Sequence, residues 1–236
     1  SIFSEKLTGN FSFGYDHYDY RNDETVEETA AARLSFAINQ WFGKADFSYK
    51  IDDNHTLNFG LMSQFYNINS GTYEPLHENS LVRLDQLQKD KALESAIYIG
   101  DQWEVTSKLS VNAGIRYSMF NLMGPRTYRT YQDGMLPSST TVVDSISVGS
   151  GKVVKTYQGP EFRLSARYAF NDDFSVKAGF NTMRQYIHKV SNTTIMSPTD
   201  TWKLSDTNIK PQNGWQLAAG AYYNLSLIHI SEPTRH

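Results

Sequence analysis

The fold class the sequence predicts is all-β: a partial antiparallel transmembrane β-barrel of about eight strands. Three observations carry it. Apolar and polar residues alternate with a period of two over most of the 236 residues. Successive side chains of a strand point to opposite sides of a sheet, so this period means strands. Short and long connections take turns along the chain. Each run also has one apolar, aromatic face and one polar, glycine-rich face, the arrangement of a barrel with lipid outside and a wet lumen inside.

The clearest stretch is residues 91–120. In its second run Leu109, Val111, Ala113, Ile115, Tyr117 and Met119 share one face, and Ser110, Asn112, Gly114, Arg116 and Ser118 share the other. The first run places Leu93, Ile97, Ile99 and Trp103 together, and residues 104–108 close the pair as a hairpin. Residues 7–20 alternate with Phe11, Phe13, Tyr15 and His17 on one face, and the polar stretch 21–29 follows as a loop. Residues 33–51 form a long strand, out of phase near residues 41–43, where a bulge or a change of surroundings is expected. Asp52, Asp53 and Asn54 make a tight turn, because such side chains bond their own backbone. No EF-hand spacing follows them.

Residues 56–68 return as a strand, and residues 70–88 are a long polar connection. Residues 121–157 are the longest irregular stretch. They contain Gly149-Ser150-Gly151-Lys152, which lacks the upstream Gly and the following Ser or Thr of a phosphate loop. Strands over 159–170 and 174–188 flank a turn at Asn171, Asp172 and Asp173. The long loop 191–212 leads to a last strand over 215–224. Residues 225–236 (LSLIHISEPTRH) break the pattern and resemble a translated sequencing-library adapter, so the barrel reading covers residues 1–224.

Composition excludes several classes. The formal net charge of −3 offers no basic surface for nucleic acid. No run of 18 apolar residues is present to make a transmembrane helix. Cysteine is absent, which removes disulfides and thiolate metal sites. The mean hydropathy of −0.51 suits strands that turn only half their residues to lipid. Aromatics make up 14% of the chain. Those near strand ends (Trp103, Tyr117, Phe120, Tyr168, Phe170 and Phe174) are expected to form interfacial girdles. A soluble sandwich also alternates, but it does not explain why every second connection is short.

The stretch from Gly159 to Leu225, with its pieces RYAFNDDFSVKAGFN, RQYIH and SNTTIMSPTDTWKLSDTNIKPQ, resembles the barrel of TonB-dependent outer-membrane receptors. The group meant is the one whose chains begin with a carboxypeptidase-regulatory-like domain. DNHTLNFG and YIGDQWEVTSKLSVNAGIRYS resemble it too. The resemblance implies a bacterial outer-membrane fragment of a barrel with roughly 22 strands. It also implies uptake of a bulky nutrient, such as a ferric chelate or a glycan. Its partners would be outer-membrane lipid and the TonB complex, the latter reached through an N-terminal part outside this sequence.

No catalytic, metal or cofactor motif is found. The histidines have no HExxH spacing, and no GxSxG occurs. An outer-membrane barrel enzyme and a structural or adhesive barrel are the alternatives, and no nucleophile with its base can be assembled for the first. Glu161, Arg163 and Arg167, at alternate positions, are expected to form interstrand ion pairs in a wet interior. Ligand contacts are expected on the long loops, where binding residues gather on a rigid scaffold. The candidates are Arg126, Tyr128, Arg129 and Tyr131 in residues 121–157, and Trp202 in the third loop beside Lys203 and Asp200. The string PTDTWKLSDTNIKPQ reads as scaffold rather than ligand reader.

Overall fold

The computed structural model describes residues 2–136, 138–190 and 201–224. Among these residues the chain forms thirteen strands: β1 (Leu7–Glu24), β2 (Ala32–Lys50), β3 (His55–Pro75), β4 (Asp85–Gln86), β5 (Asp90–Glu104), β6 (Leu109–Met123), β7 (Arg126–Tyr131), β8 (Val142–Val148), β9 (Val153–Ala169), β10 (Phe174–Gln185), β11 (Ile187–Val190), β12 (Thr201–Leu204) and β13 (Gln212–Tyr223). Eight of them follow one another across a single curled antiparallel sheet, in the order β1-β2-β3-β5-β6-β9-β10-β13. The short β4 pairs with β3, and β7–β8 and β11–β12 are separate hairpins. The adapter-like tail and Asp200 lie outside the described residues.

The register explains why the two faces differ. Phe47, Phe59, Ile99, Ile115 and Phe162 stand side by side in one row across five strands. One position away, Thr8, Ser48, Asn58, Gly100, Gly114, Arg163, Asn181 and Gln216 form a second row. The first row belongs to the convex face and the second to the concave one. On the convex face Phe13 is 77% exposed, Ile97 66% and Leu217 71%. A surface this bare needs an apolar surrounding. Val111, Ala113 and Ile115 fall on it, and Asn112, Gly114 and Arg116 on the other.

The short turns share one device. Asp52 Oδ1 accepts the backbone N–H groups of Asn54 and His55, both at 2.8 Å. Thr106 Oγ1 accepts those of Lys108 and Leu109 at 3.2 and 3.0 Å. Asn171 Oδ1 accepts those of Asp173 and Phe174 at 3.1 and 2.7 Å. In each case a small polar side chain satisfies backbone groups that the reversing chain leaves unpaired. Next to these turns Tyr168, Phe170 and Phe174 pack ring to ring at 4.9 and 5.3 Å, and Tyr223 follows at 6.4 Å. They form one aromatic girdle.

Three expectations are corrected. Phe120 is no girdle residue: it lies on the concave face, wholly buried, because its register places it with Ser118 and Leu122. The register shift in β2 falls between Ser35 and Ala37, not at residues 41–43. There Trp41 and Phe42 take opposite faces, and the Phe42 ring lies over Gly14, where a Cβ would collide with it. Residues 121–157 are not irregular: β6 and β9 run on past Asn121 and below Tyr157, and β7–β8 stands between them.

Candidate functional site: the concave trough and its rim

A trough of about 830 Å³ runs along the concave face. Lys44, Asn58, Tyr98, Asn112, Arg116, Arg163, Asn181 and Gln216 line it. Cross-strand contacts hold these polar side chains in place. Gly60 stands between Asp46 and Tyr98 in the register, and a Cβ there would strike the Tyr98 ring. Its absence lets the Tyr98 hydroxyl donate to Asp46 two strands away. Asp46 also pairs with Lys44 at 2.9 Å. Arg116 bridges Glu94 at 3.1 Å and Glu161 at 3.5 Å, and the Tyr66 hydroxyl donates to Glu94 at 2.9 Å. Glu161 thus makes the interstrand ion pair expected of it. Arg167 instead approaches Ser175 at 3.5 Å.

At the end of the long connections the concave face closes over itself. Tyr186 interrupts the wall strand between β10 and β11, and its ring stacks on Phe120 at 4.7 Å. The Tyr186 and Ser118 hydroxyls are hydrogen-bonded at 2.9 Å. Leu204 packs beside them into a cluster with Tyr66, Ile68, Ala92 and Leu122. Burying apolar side chains of this size contributes about 1.5–3 kcal/mol each, so the cluster is a sufficient anchor for the segment.

An ion group sits against this cluster. Arg126 bonds Asp90 through one guanidinium nitrogen and Asp206 through the other, the second at 2.8 Å. Lys203 reaches Asp206 at 3.2 Å, and the Leu204 N–H donates to Asp90 at 3.1 Å. Burial pushes the Asp206 carboxyl up. The Asn208 and Ile209 N–H groups, Lys203 and Arg126 outweigh that and hold it below its ordinary value. His188, hydrogen-bonded to Ser205 at 2.8 Å, has its pKa lowered by burial, against a weaker opposite pull from Asp206.

The structure divides the expected ligand residues rather than gathering them. On β7, Arg126 and Tyr128 point to one side, and Arg129 and Tyr131 to the other, by simple alternation. Arg126 is occupied by its two carboxylates. Arg129 is exposed, while Tyr128 and Tyr131 are half-buried. Trp202 is half-buried on β12, opposite Lys189. Sequence reasoning missed Asp90, Tyr186 and Asp206. The strands that carry the inner segment are four residues each, too short to show a period.

A family profile described as "TonB dependent receptor-like, beta-barrel" matches residues 58–230, well over half the chain. No curated protein matches. Among solved structures, the copper transporter OprC superposes with a TM-score of 0.64 at 14% identity, over 95% of this chain and 34% of its own. The ferric preacinetobactin receptor BauA of Acinetobacter baumannii gives 0.56 at 12% identity, over 94% and 33%. The ferric yersiniabactin uptake receptor FyuA of Yersinia pestis gives 0.55 at 12%, over 94% and 32%. The chain thus spans about a third of the length of these structures, and at such identities the likeness shows the fold alone. The family is one of transporters rather than enzymes, and its members are bacterial outer-membrane proteins. Half-barrel, faces and profile agree: this chain belongs to the TonB-dependent receptor β-barrel family.

Proposed function

We propose that this chain is part of the wall and outer rim of a receptor that takes up a bulky nutrient in a TonB-dependent manner. TonB would be engaged by parts of the full-length protein other than this wall. One observation carries the reading: a trough of about 830 Å³ that holds Lys44, Arg116, Arg163 and several amide side chains lies inside a wall whose outer face is bare and apolar. Such a wall separates a wet path from lipid.

The long connections lie outside the cell in this reading, and the turns at Asp52, Thr106 and Asn171 face the periplasm. Strands β1, β2 and β3 have 18, 19 and 21 residues. About 9–11 residues suffice to span the bilayer, so these strands carry the rim well above the membrane. The β7–β8 hairpin stands on that rim. Its exposed Arg129 beside Tyr131 suits an anionic ferric chelate, since a guanidinium binds oxyanions bidentately. Tyr128 and Trp202 offer stacking surfaces that suit a glycan equally.

The test is to remove residues 128–146 from the full-length protein and measure binding of, and growth on, ferric chelates and oligosaccharides. We expect one nutrient class to be lost while the barrel still reaches the outer membrane. Unchanged uptake of every nutrient the parent imports would refute the hairpin as ligand reader. Arg129→Glu separates the classes: chelate binding should fall steeply, glycan binding little.

A further inference from the structure

Three long connections meet at one guanidinium. Asp90 ends the β3–β5 connection, Arg126 opens the β7–β8 hairpin, and Asp206 lies between β12 and β13. All three are nearly or fully buried, with side-chain exposures of 1%, 9% and 2% respectively. We propose that Arg126 is a latch: through it the β7–β8 hairpin and the luminal segment 204–209 hold one fixed relative position.

The hairpin's base packs its two legs against each other, with Gly124 close to the Gly149 and Val148 carbonyls, and this joins the legs to one another rather than to the luminal segment. The hairpin leaves β6 at Gly124 and returns to β9 through Gly149 and Gly151. Two backbone bonds link these connectors, Gly124 N–H to Lys152 O at 2.9 Å and Gly151 N–H to Gly124 O at 3.2 Å. Gly149 and Gly151 have no side chain, and open space where a Cβ would stand. Above the base the described contacts to other segments are few. Gln88 exchanges two hydrogen bonds with the Thr127 backbone, at 2.9 and 3.0 Å, and Arg126 makes its two ion pairs.

The luminal side is built more firmly. Asp206 Oδ1 accepts the N–H groups of Asn208 and Ile209 at 2.8 Å, and the Asp206 carbonyl accepts the Tyr157 hydroxyl at 2.6 Å. Asp206 Oδ2 is left for Arg126 and Lys203. Segment 204–209 is therefore rigid in itself, and Arg126 is the charged link from it to the hairpin. A buried carboxylate that loses its partner is strongly unfavourable. Withdrawing Arg126 would leave Asp90 buried and without its cation, so hairpin and segment cannot separate without a large cost. A displacement of the hairpin from outside is thus felt inside the lumen, whatever the hairpin binds.

Spin labels on Ser145→Cys and Asn208→Cys, both exposed positions, report this coupling in the full-length protein in membranes. The parent should give one narrow distance distribution. Arg126→Gln and Asp206→Asn should each lose it, while labels at Asn54→Cys and Asp173→Cys in the opposite turns stay as in the parent. If Arg126→Gln does not assemble, the double variant Asp90→Asn, Arg126→Gln takes its place, because it leaves no carboxylate of this pair charged. A narrow distribution retained in the variants, or a broad one in the parent, overturns the latch.

Discussion

At the end with the short turns, Asp52, Thr106 and Asn171 each bond backbone groups two and three positions ahead. At the opposite end Arg126 reaches Asp90 and Asp206, which are 36 and 80 positions away. One end is closed by local chemistry, the other by contacts that exist only once the sheet has formed. The local turns set the register of each hairpin and demand little of the rest of the chain. The rim has to order long connections, whose entropy must be offset by burial. This is why Leu204, Tyr186 and Phe120 are sunk into the concave face rather than left on the loops.

The largest expected effect breaks that comparison at the rim. Phe120→Ala removes the ring on which Tyr186 stacks. Emptying such a site costs about 3–5 kcal/mol. In the full-length protein, hydrogen exchange should speed up at residues 186–188 and 204–209, while the three short turns keep their protection. Faster exchange at the turns as well would mean the ends are not independent.

A second substitution pair probes the faces that both ends share. Ile115→Lys places a charge in the convex apolar row and should cost about 2–4 kcal/mol near mid-bilayer. Asn112→Lys enters the concave trough, beside charged and amide side chains, and should cost much less. Refolding each full-length variant into lipid measures both. Equal penalties would remove the assignment of convex to lipid and concave to lumen.

These two tests also mark what could be read in the sequence. Alternation at Val111, Ala113 and Ile115 named the outer face, and the polar triplets at Asp52 and Asn171 named their turns, because those signals span two or three residues. An aromatic near a strand end, such as Phe120, carries no sign of its face unless the phase of its whole strand is followed. Asp90 and Asp206 look like ordinary loop carboxylates. Their partner is brought to them by the sheet order and by a hairpin hidden inside a stretch rich in Gly, Ser and Thr. Leu204, Ser205 and Asp206 are buried, which nothing in the local pattern announces.

A third test uses pH. His188 is buried at the rim with its pKa lowered, burial being the main cause. In the unfolded chain a histidine binds its proton near pH 6.5, but the folded rim resists it. Stability rises with pH wherever the unfolded state holds more protons. Acidification from about pH 7.5 to 5.5 should therefore loosen the rim, and the loss should level off once the pH passes below the folded value. Exchange at residues 204–209 measures it. His188→Asn should flatten the dependence over this window, and a slope that survives the substitution must come from another group.

The smallest effect belongs to the turns. Asp52→Ala, Thr106→Ala and Asn171→Ala each remove an acceptor that serves two backbone donors. The sites are exposed, so water takes over part of the role, and the loss at Thr106 and at Asn171 should be about 0.5–1.5 kcal/mol. The chemistry of the acceptor sharpens the test. Asn171→Asp keeps an oxygen in the same place and should be close to neutral, whereas Asn171→Ala should not. At Asp52 the Asn54 N–H, with the His55 N–H adding to it, holds the carboxyl below its ordinary value against the opposing effect of desolvation. Its contribution is complete above the unfolded carboxylate value and fades as the pH falls through the lower, folded one. If the turns are local devices, these losses add when all three alanines are combined, and exchange at the rim stays unchanged. A combined loss well beyond the sum, or a rim that opens with them, would show the two ends to be a single cooperative structure.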